Sequence, residues 1–140
     1  MSEESTTPDV VALVRRRSDA SHRRDMDALM GLFAPDAVYD TSPSGLGVYE
    51  GRTAIRAFIR EWWDAFDELH FEPEEIVDLG GGVTFSIIRQ DGRPAGSDSH
   101  VRTHEAQVIE WTGTLAARVT VYQDIEEARA AAERLAQERG

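Results

Sequence analysis

The 140-residue chain has no cysteine, no lysine and no asparagine. Without cysteine there is no disulfide, no thiolate nucleophile and no cysteine-based metal site. Without lysine, Schiff-base catalysis from a side chain is excluded, because it needs a lysine amine. All 15 basic residues are arginine; the arginine bias and the missing asparagine read as the mark of a GC-rich genome rather than of function. Basic residues are also outnumbered, 15 against 26 acidic ones, for a formal net charge of -11. That charge argues against a nucleic-acid or anionic-membrane partner, since either would have to overcome repulsion. No apolar run approaches the roughly 20 residues of a membrane span. Met1–Pro8 is polar and acidic, unlike a signal peptide, so a cytoplasmic protein is the expectation. There is no Gly-x-Ser-x-Gly motif, and Gly80-Gly81-Gly82 precedes a strand pattern rather than a helix. Neither a nucleophilic triad nor a helix-borne phosphate cradle is indicated.

What is present is ordinary globular composition, 41% hydrophobic and 29% charged, in a length that suits one domain. Residues 1–8 read as a disordered leader, 9–132 as the domain, and 133–140 as the charged end of a last helix. Asp9 can cap a first helix reaching about Arg24. Arg15, Arg16 and Arg17 follow one another in it, and three consecutive residues cover about 300° of a helix. They cannot all share one outer face, so either one approaches the core or all three snorkel to water. Met26, Leu29, Met30 and Phe33 have the spacing of a second short helix over 25–33, ended by Ala34-Pro35-Asp36. Ala37–Thr41 reads as a short strand and Ser42–Gly51 as a loop. Thr53 is placed to cap a helix over 53–67, with Ile55, Phe58, Ile59, Trp62 and Phe66 inward and Trp63 beside them. From Leu69 the period changes to that of strands, over 70–79, 83–90, 98–111 and 114–123, and Asp124 opens a last, alanine-rich helix. Helices set apart from a run of antiparallel strands make an α+β fold, and a curved sheet can enclose a pocket with them.

Thr112-Gly113 is a plausible two-residue hairpin turn. Trp111 then pairs with Thr114, and Val108, Ala106 and His104 face Ala117, Val119 and Val121 on one side of the sheet. This set is the smaller and more apolar, so it is assigned to the concave side, with Arg102 and His100 joining it by alternation. Glu105, Gln107 and Ile109 then fall on the other side. A one-residue bulge would exchange the two faces.

The runs DMDALMGLFAPDAVYD, YEGRTAIRAFIREWW, SDSHVRTHEAQVIEWTG and VYQDIEEARAA resemble the SnoaL-like branch of the nuclear-transport-factor-2-like superfamily, over residues 9–132. The resemblance implies a cone-shaped α+β domain with a deep pocket, and a homodimer packed through the sheet. Relatives include polyketide cyclases, ketosteroid isomerase, limonene epoxide hydrolase and scytalone dehydratase. Asp40 lies near the place of the isomerase's general base, across a one-residue gap. The isomerase's oxyanion-hole tyrosine falls near Arg17, and its second acid near Glu105, which the hairpin pairing puts on the wrong face. Arg102-x-His104 loosely resembles the hydrolase's Arg-x-Asp pair, while that enzyme's further Asp falls near Val121.

Asp40 is thus a candidate general base, if burial raises its pKa, or else a strand-end group that caps loop amides or pairs with an arginine. His104 is a candidate acid–base partner or a polar wall of the pocket. Arg102 is the candidate stabiliser of negative charge. Tyr39, Tyr49, Trp63, His100, Val108, Val119 and Val121 are expected to line the substrate site. His100 and His104, four apart on a strand, stand roughly 13 Å from each other, too far to share one ion, and no metal or cofactor is expected. Two functions remain open: cofactor-independent proton transfer on a small apolar molecule, as in a cyclase, isomerase or dehydratase, or ligand binding or dimerisation without chemistry.

Overall fold

Asp9 is the first residue described by the computed structural model, and Arg139 the last; the expected leader over 1–8 lies outside the described residues. The Asp9 carboxylate accepts from the Ala12 amide at 3.1 Å, a side-chain N-cap, and α1 runs Val10–His22. It buries Val10, Leu13, Val14, Arg17 and Ala20, so one of the three consecutive arginines does face the core. Asp25 caps α2, Met26–Met30, in the same way. This helix is shorter than expected because the chain enters a strand, β1, already at Phe33 and holds it to Asp40. Pro35 is tolerated there because the regular pairing of β1 is interrupted between Phe33 and Val38, the kind of irregularity to which strand prolines are confined.

Part of the stretch read as a loop is a three-residue edge strand, β2, Val48–Glu50. Helix α3 spans Arg52–Asp64. Thr53 does not cap it. Gly51 does the entry instead, at φ 84 and ψ 156, a conformation essentially reserved for glycine. The buried stripe of α3 is Ile55, Ile59 and Trp63, while Trp62 stays 38% exposed. Trp63 is therefore the inward tryptophan of the pair, not Trp62. Four long strands follow: β3 Phe66–Gly80, β4 Val83–Pro94, β5 Val101–Thr112 and β6 Leu115–Tyr122. The last helix, α4, spans Ile125–Arg139, and Asp124 accepts from the Glu127 amide at its start.

The strands form one sheet in the order β2-β1-β6-β5-β4-β3. The fold is α+β, but the sheet is mixed rather than wholly antiparallel, since β1 runs parallel to β6. Its two faces carry separate cores. On the inner face α1, α2 and α3 pack over Phe33, Tyr39, Ile109, Trp111, Val119 and Val121. On the outer face α4 lays Ala128 and Ala132 against Val83, Phe85, Ala106 and Val108. A second copy docking through the sheet would therefore meet α4 over part of this face.

The β5–β6 hairpin corrects the expected facing. The turn is Gly113-Thr114, with Thr112 paired to Leu115 and Trp111 to Ala116. Gly113 has φ 61, which suits the first loop position of a primed hairpin turn. One residue farther along, Glu110 pairs with Arg118, so Ala117 is an extra residue on β6. Moving the turn keeps the faces, but the bulge exchanges them. Ile109 pairs with Val119 and Gln107 with Val121, and Glu105 shares their inner side. Val108 turns outward to α4, contrary to the expectation that it lines the pocket.

Trp111 is anchored by its indole nitrogen, which donates to Thr84 Oγ1 at 2.9 Å in a fully buried setting. Thr84→Val keeps the volume and removes the acceptor. It should cost about 1–3 kcal/mol, the range for stranding a buried donor, read as a lower urea midpoint at unchanged m-value. A loss below about 0.5 kcal/mol would mean that the indole finds another partner.

Candidate functional site

Between the inner sheet face and helices α1 and α3 lies a cavity of about 260 Å³. Its walls are mostly aromatic and aliphatic, with Phe58, Trp62 and Trp63 from α3, and Phe66 and Phe71 from β3. The Trp62 indole donates to Gln90 Oε1 at 3.0 Å, which pins the ring across from β4. At the mouth Leu46, Trp62 and Val101 are exposed as well as lining it.

Four of the polar groups on the cavity wall bear on its chemistry. Arg17 projects from α1, Tyr39 from β1, and Glu105 and Gln107 from β5. Arg17 is 6% exposed. Its guanidinium carbon lies 4.8 Å from the centre of the Phe33 ring, a cation–π arrangement, and its Nη1 is buried without a hydrogen-bond partner. Burial lowers the Arg17 pKa, against the pull of Tyr39 and Glu105, yet a guanidinium does not lose its proton in proteins. It is a standing positive charge inside the fold.

Glu105 is the only acidic residue on the cavity wall among the described residues. Burial pushes its carboxyl up from the usual glutamate range, partly offset by the Gln107 hydrogen bond and the Arg17 charge. Gln107 Nε2 donates to Glu105 Oε2 at 2.8 Å and so orients the carboxyl. Burial likewise raises the Tyr39 phenol, helped by the nearby Glu105 charge and opposed by Arg17. An acid whose pKa is raised by burial, a fixed cation and a phenol thus share one cleft. Such a set can accept a proton from a ligand and stabilise negative charge left on it.

The residues singled out from sequence divide between the two faces. Tyr39, Trp63 and Val121 line the cavity. Val119 is on the same face but wholly in the core, and Tyr49 stacks on Phe58 at 4.3 Å behind the wall. Asp40, one residue from Tyr39, points the other way and does not reach the cavity. Its Oδ2 accepts from Arg118 at 2.7 Å, and its Oδ1 from the Ser42 amide and hydroxyl at 2.9 and 2.6 Å. Burial pushes its carboxyl up, but Ser42 and Arg118 outweigh burial and hold it below the usual range. The condition set for a general base, a raised pKa in the pocket, is therefore not met. His104 borders the cavity, but its ring turns to the Glu74 carboxylate at 3.1 Å, on the face it shares with Ala106 and Val108. Arg102 bonds Asp91 at 2.6 Å on the same outer side, and His100 is exposed beside it. The bulge that turns Val108 outward turns His104 and Arg102 outward too, while His100 precedes the strand.

Arg17 and Glu105 were not chosen from sequence as site residues. The signal for Arg17 was that three consecutive arginines cannot share one outer face of a helix, which left an inward arginine as one of two readings. The signal for Glu105 was subtler: Ala106 and Val108 are small enough to accept the alanine face of α4, which leaves Glu105 and Gln107 inward.

The Asp40 carboxylate has a pH signature. Its pKa is lower folded than unfolded, so its stabilisation is present above the ordinary aspartate value and is lost as pH falls through the folded one. Asp40→Asn should lose about 1–3 kcal/mol at pH 7, the range for a partly buried charged hydrogen-bond group, and the gap to the parent should narrow at pH 3 in urea titrations. A gap unchanged at pH 3 would show that the charge is not what matters.

The sequence matches the family model described as a SnoaL-like domain over residues 14–119. Comparison with curated proteins gives no match. Among solved structures, a hypothetical protein with a ketosteroid isomerase-like fold from Catenulispora acidiphila DSM 44928, in complex with trimethylamine, is 18% identical, with a TM-score of 0.72 over 90% of this chain and 93% of that one. An NTF2-like protein of unknown function from Burkholderia pseudomallei K96243 is 22% identical, with a TM-score of 0.72 over 92% and 98% of the two chains. A candidate polyketide cyclase from Xanthomonas campestris pv. campestris is 19% identical, with a TM-score of 0.69 over 88% and 96%. At these identities the likeness establishes the fold, which is nuclear-transport-factor-2-like.

Proposed function

This chain belongs to the SnoaL-like domain family, and on that footing we propose that it binds a small, largely apolar carbonyl compound and moves a proton on it without a cofactor. The observation that carries this reading is the convergence of Glu105 and Arg17 on one aromatic-walled cavity. Glu105 Oε2 is engaged by Gln107, which leaves Oε1 to act on the ligand. As carboxylate it takes a proton from the carbon next to the carbonyl. The C–H electron pair moves into the carbon skeleton, the carbonyl oxygen becomes an enolate oxygen, and Arg17 stabilises it. Return of the proton at a different carbon is an isomerisation. Attack of the enolate carbon on a second carbonyl closes a ring, with Glu105 giving its proton to the new alkoxide. A base of raised pKa is suited to such work near neutral pH.

The experiment is proton–deuterium exchange of 2-tetralone in D2O, followed by NMR with and without the protein. The protein should accelerate exchange, and the rate should rise as pH passes upward through the raised Glu105 pKa, because the carboxylate is the active form. Glu105→Gln should lose the acceleration, and His104→Gln should keep it. If 2-tetralone binds but does not exchange, the chain is a ligand-binding module and the catalytic reading fails.

A further inference from the structure

Building on that acid–base reading, we propose that the ligand is itself an anion: a flat, unsaturated acid whose carboxylate or enolate-type oxygen docks on Arg17. A guanidinium this buried ordinarily has a carboxylate against it, because an unpaired buried charge costs far more than a neutral polar group. Arg17 has no such partner. Its Nη1 meets no acceptor, no ion pair holds it among the described residues, and Glu105 is tied to Gln107 instead.

The surroundings say what the partner looks like. Phe33 covers one face of the guanidinium, so its free donors lie in plane, along the edge. That is the geometry for pairing with a planar oxyanion. Besides Glu105, the groups that α1, β1 and β5 bring to the wall include Ser18, Ser21, Tyr39 and Gln107, which are neutral donors and acceptors. None supplies a counter-charge. The rest of the wall is largely aromatic, with Phe58, Phe66 and Phe71, and accepts a flat ring system. Glu105 acts on Arg17 through its charge but bonds Gln107, so a neutral ketone would leave the guanidinium without an anionic acceptor against it, whereas an acid would supply one and bury its own apolar body in the same step.

Two probes of one shape separate these cases: 2-naphthoate, an anion at pH 8, and 2-naphthamide, its neutral counterpart. Isothermal titration of the intact protein should show the naphthoate binding at least about tenfold more tightly. Arg17→Met keeps an unbranched apolar stem beside Phe33 and removes the charge; it should erase that preference while still binding the amide. Circular dichroism establishes that the variant is folded, and if it is not, the comparison on the unaltered protein still decides. Equal affinities, or no binding of either probe, overturn the proposal. So does an Arg17→Met protein that still prefers the acid, since the anion is then held elsewhere. Loss of the acid preference alongside intact 2-tetralone exchange refutes the anionic ligand alone. An acid preference without exchange refutes the acid–base reading alone.

Discussion

Glu105→Gln should slow carbon-bound proton exchange by a factor on the order of 10²–10⁴, the usual contribution of a positioned acid–base group. The substitution is nearly isosteric, and the amide oxygen can still accept from Gln107, so the cavity keeps its shape. What disappears is the only carboxylate on its wall among the described residues. The same change should leave the protein at least as stable at neutral pH, for a reason whose sign follows from the raised pKa. The folded chain holds the Glu105 proton to higher pH than the unfolded chain does. Stability is therefore fully present below the ordinary glutamate value and falls as pH rises through the folded one. Glu105→Gln removes that slope. Its stability relative to the parent should grow from about pH 4 upward and then level off, as measured by urea unfolding across pH. Lost activity joined to equal or greater stability is the pattern expected of a site held in an unfavourable charge state for its chemistry. A variant that is both inactive and clearly less stable at pH 7 would point to a structural role instead.

Phe33→Ala should be the most damaging single truncation of the inner core, costing about 3–5 kcal/mol. Phe33 is fully buried. Its ring lies 6.0 Å from that of Tyr39 and supports Arg17, while its carbonyl accepts from the Arg52 side chain that opens α3. Removing the ring leaves a void under a buried charge. Against a typical domain stability of about 5–15 kcal/mol, the loss is a large share. Phe33→Leu isolates the cation–π contribution, because it refills most of the volume without a π face; it should cost far less, about 1–2 kcal/mol. Equal losses for the two variants would show that the aromatic face, not the volume, dominates. A loss under about 1 kcal/mol for Phe33→Ala would show that the core collapses around the gap.

Much of the fold was legible because the signals were local. Asp9 and Asp124 cap helices as their spacing to the following residues suggests, and the alternation of Val83, Phe85 and Ile87 marks a strand face. The parts that were not legible depend on pairing between distant segments. Pro35 argues against a strand until β6 is known to run beside it with a break in register. Three residues, Val48–Glu50, carry too little pattern to announce a strand. The site suffered most, because a single extra residue, Ala117, decides which half of β5 faces inward. No propensity of Ala117 itself reveals a bulge. The reading therefore had Tyr39, Trp63 and Val121 on the cavity side but placed His104, Arg102 and Val108 there in place of Glu105 and Gln107. Asp40 was misjudged for a different reason: its neighbours Tyr39 and Thr41 line the cavity, and strand alternation then obliges Asp40 to point away.

The parallel pairing of β1 with β6 has a consequence in time as well as in space. Phe33 is registered against Ala116 and Asp40 against Thr120, so the strand that bears Tyr39 cannot join the main sheet until almost the whole chain has been made. Pairings this far apart in sequence are slow to form, because loop closure must precede any gain from contact. On the ribosome, α1 and the β3–β4 hairpin can form from neighbouring residues, whereas the floor of the cavity has to wait for β6. Arg17 emerges early and Glu105 late, so the two can meet only after β5 has been made. A chain interrupted before Leu115 would carry nearly every residue of the cavity and still lack the strand that joins β1 to the sheet.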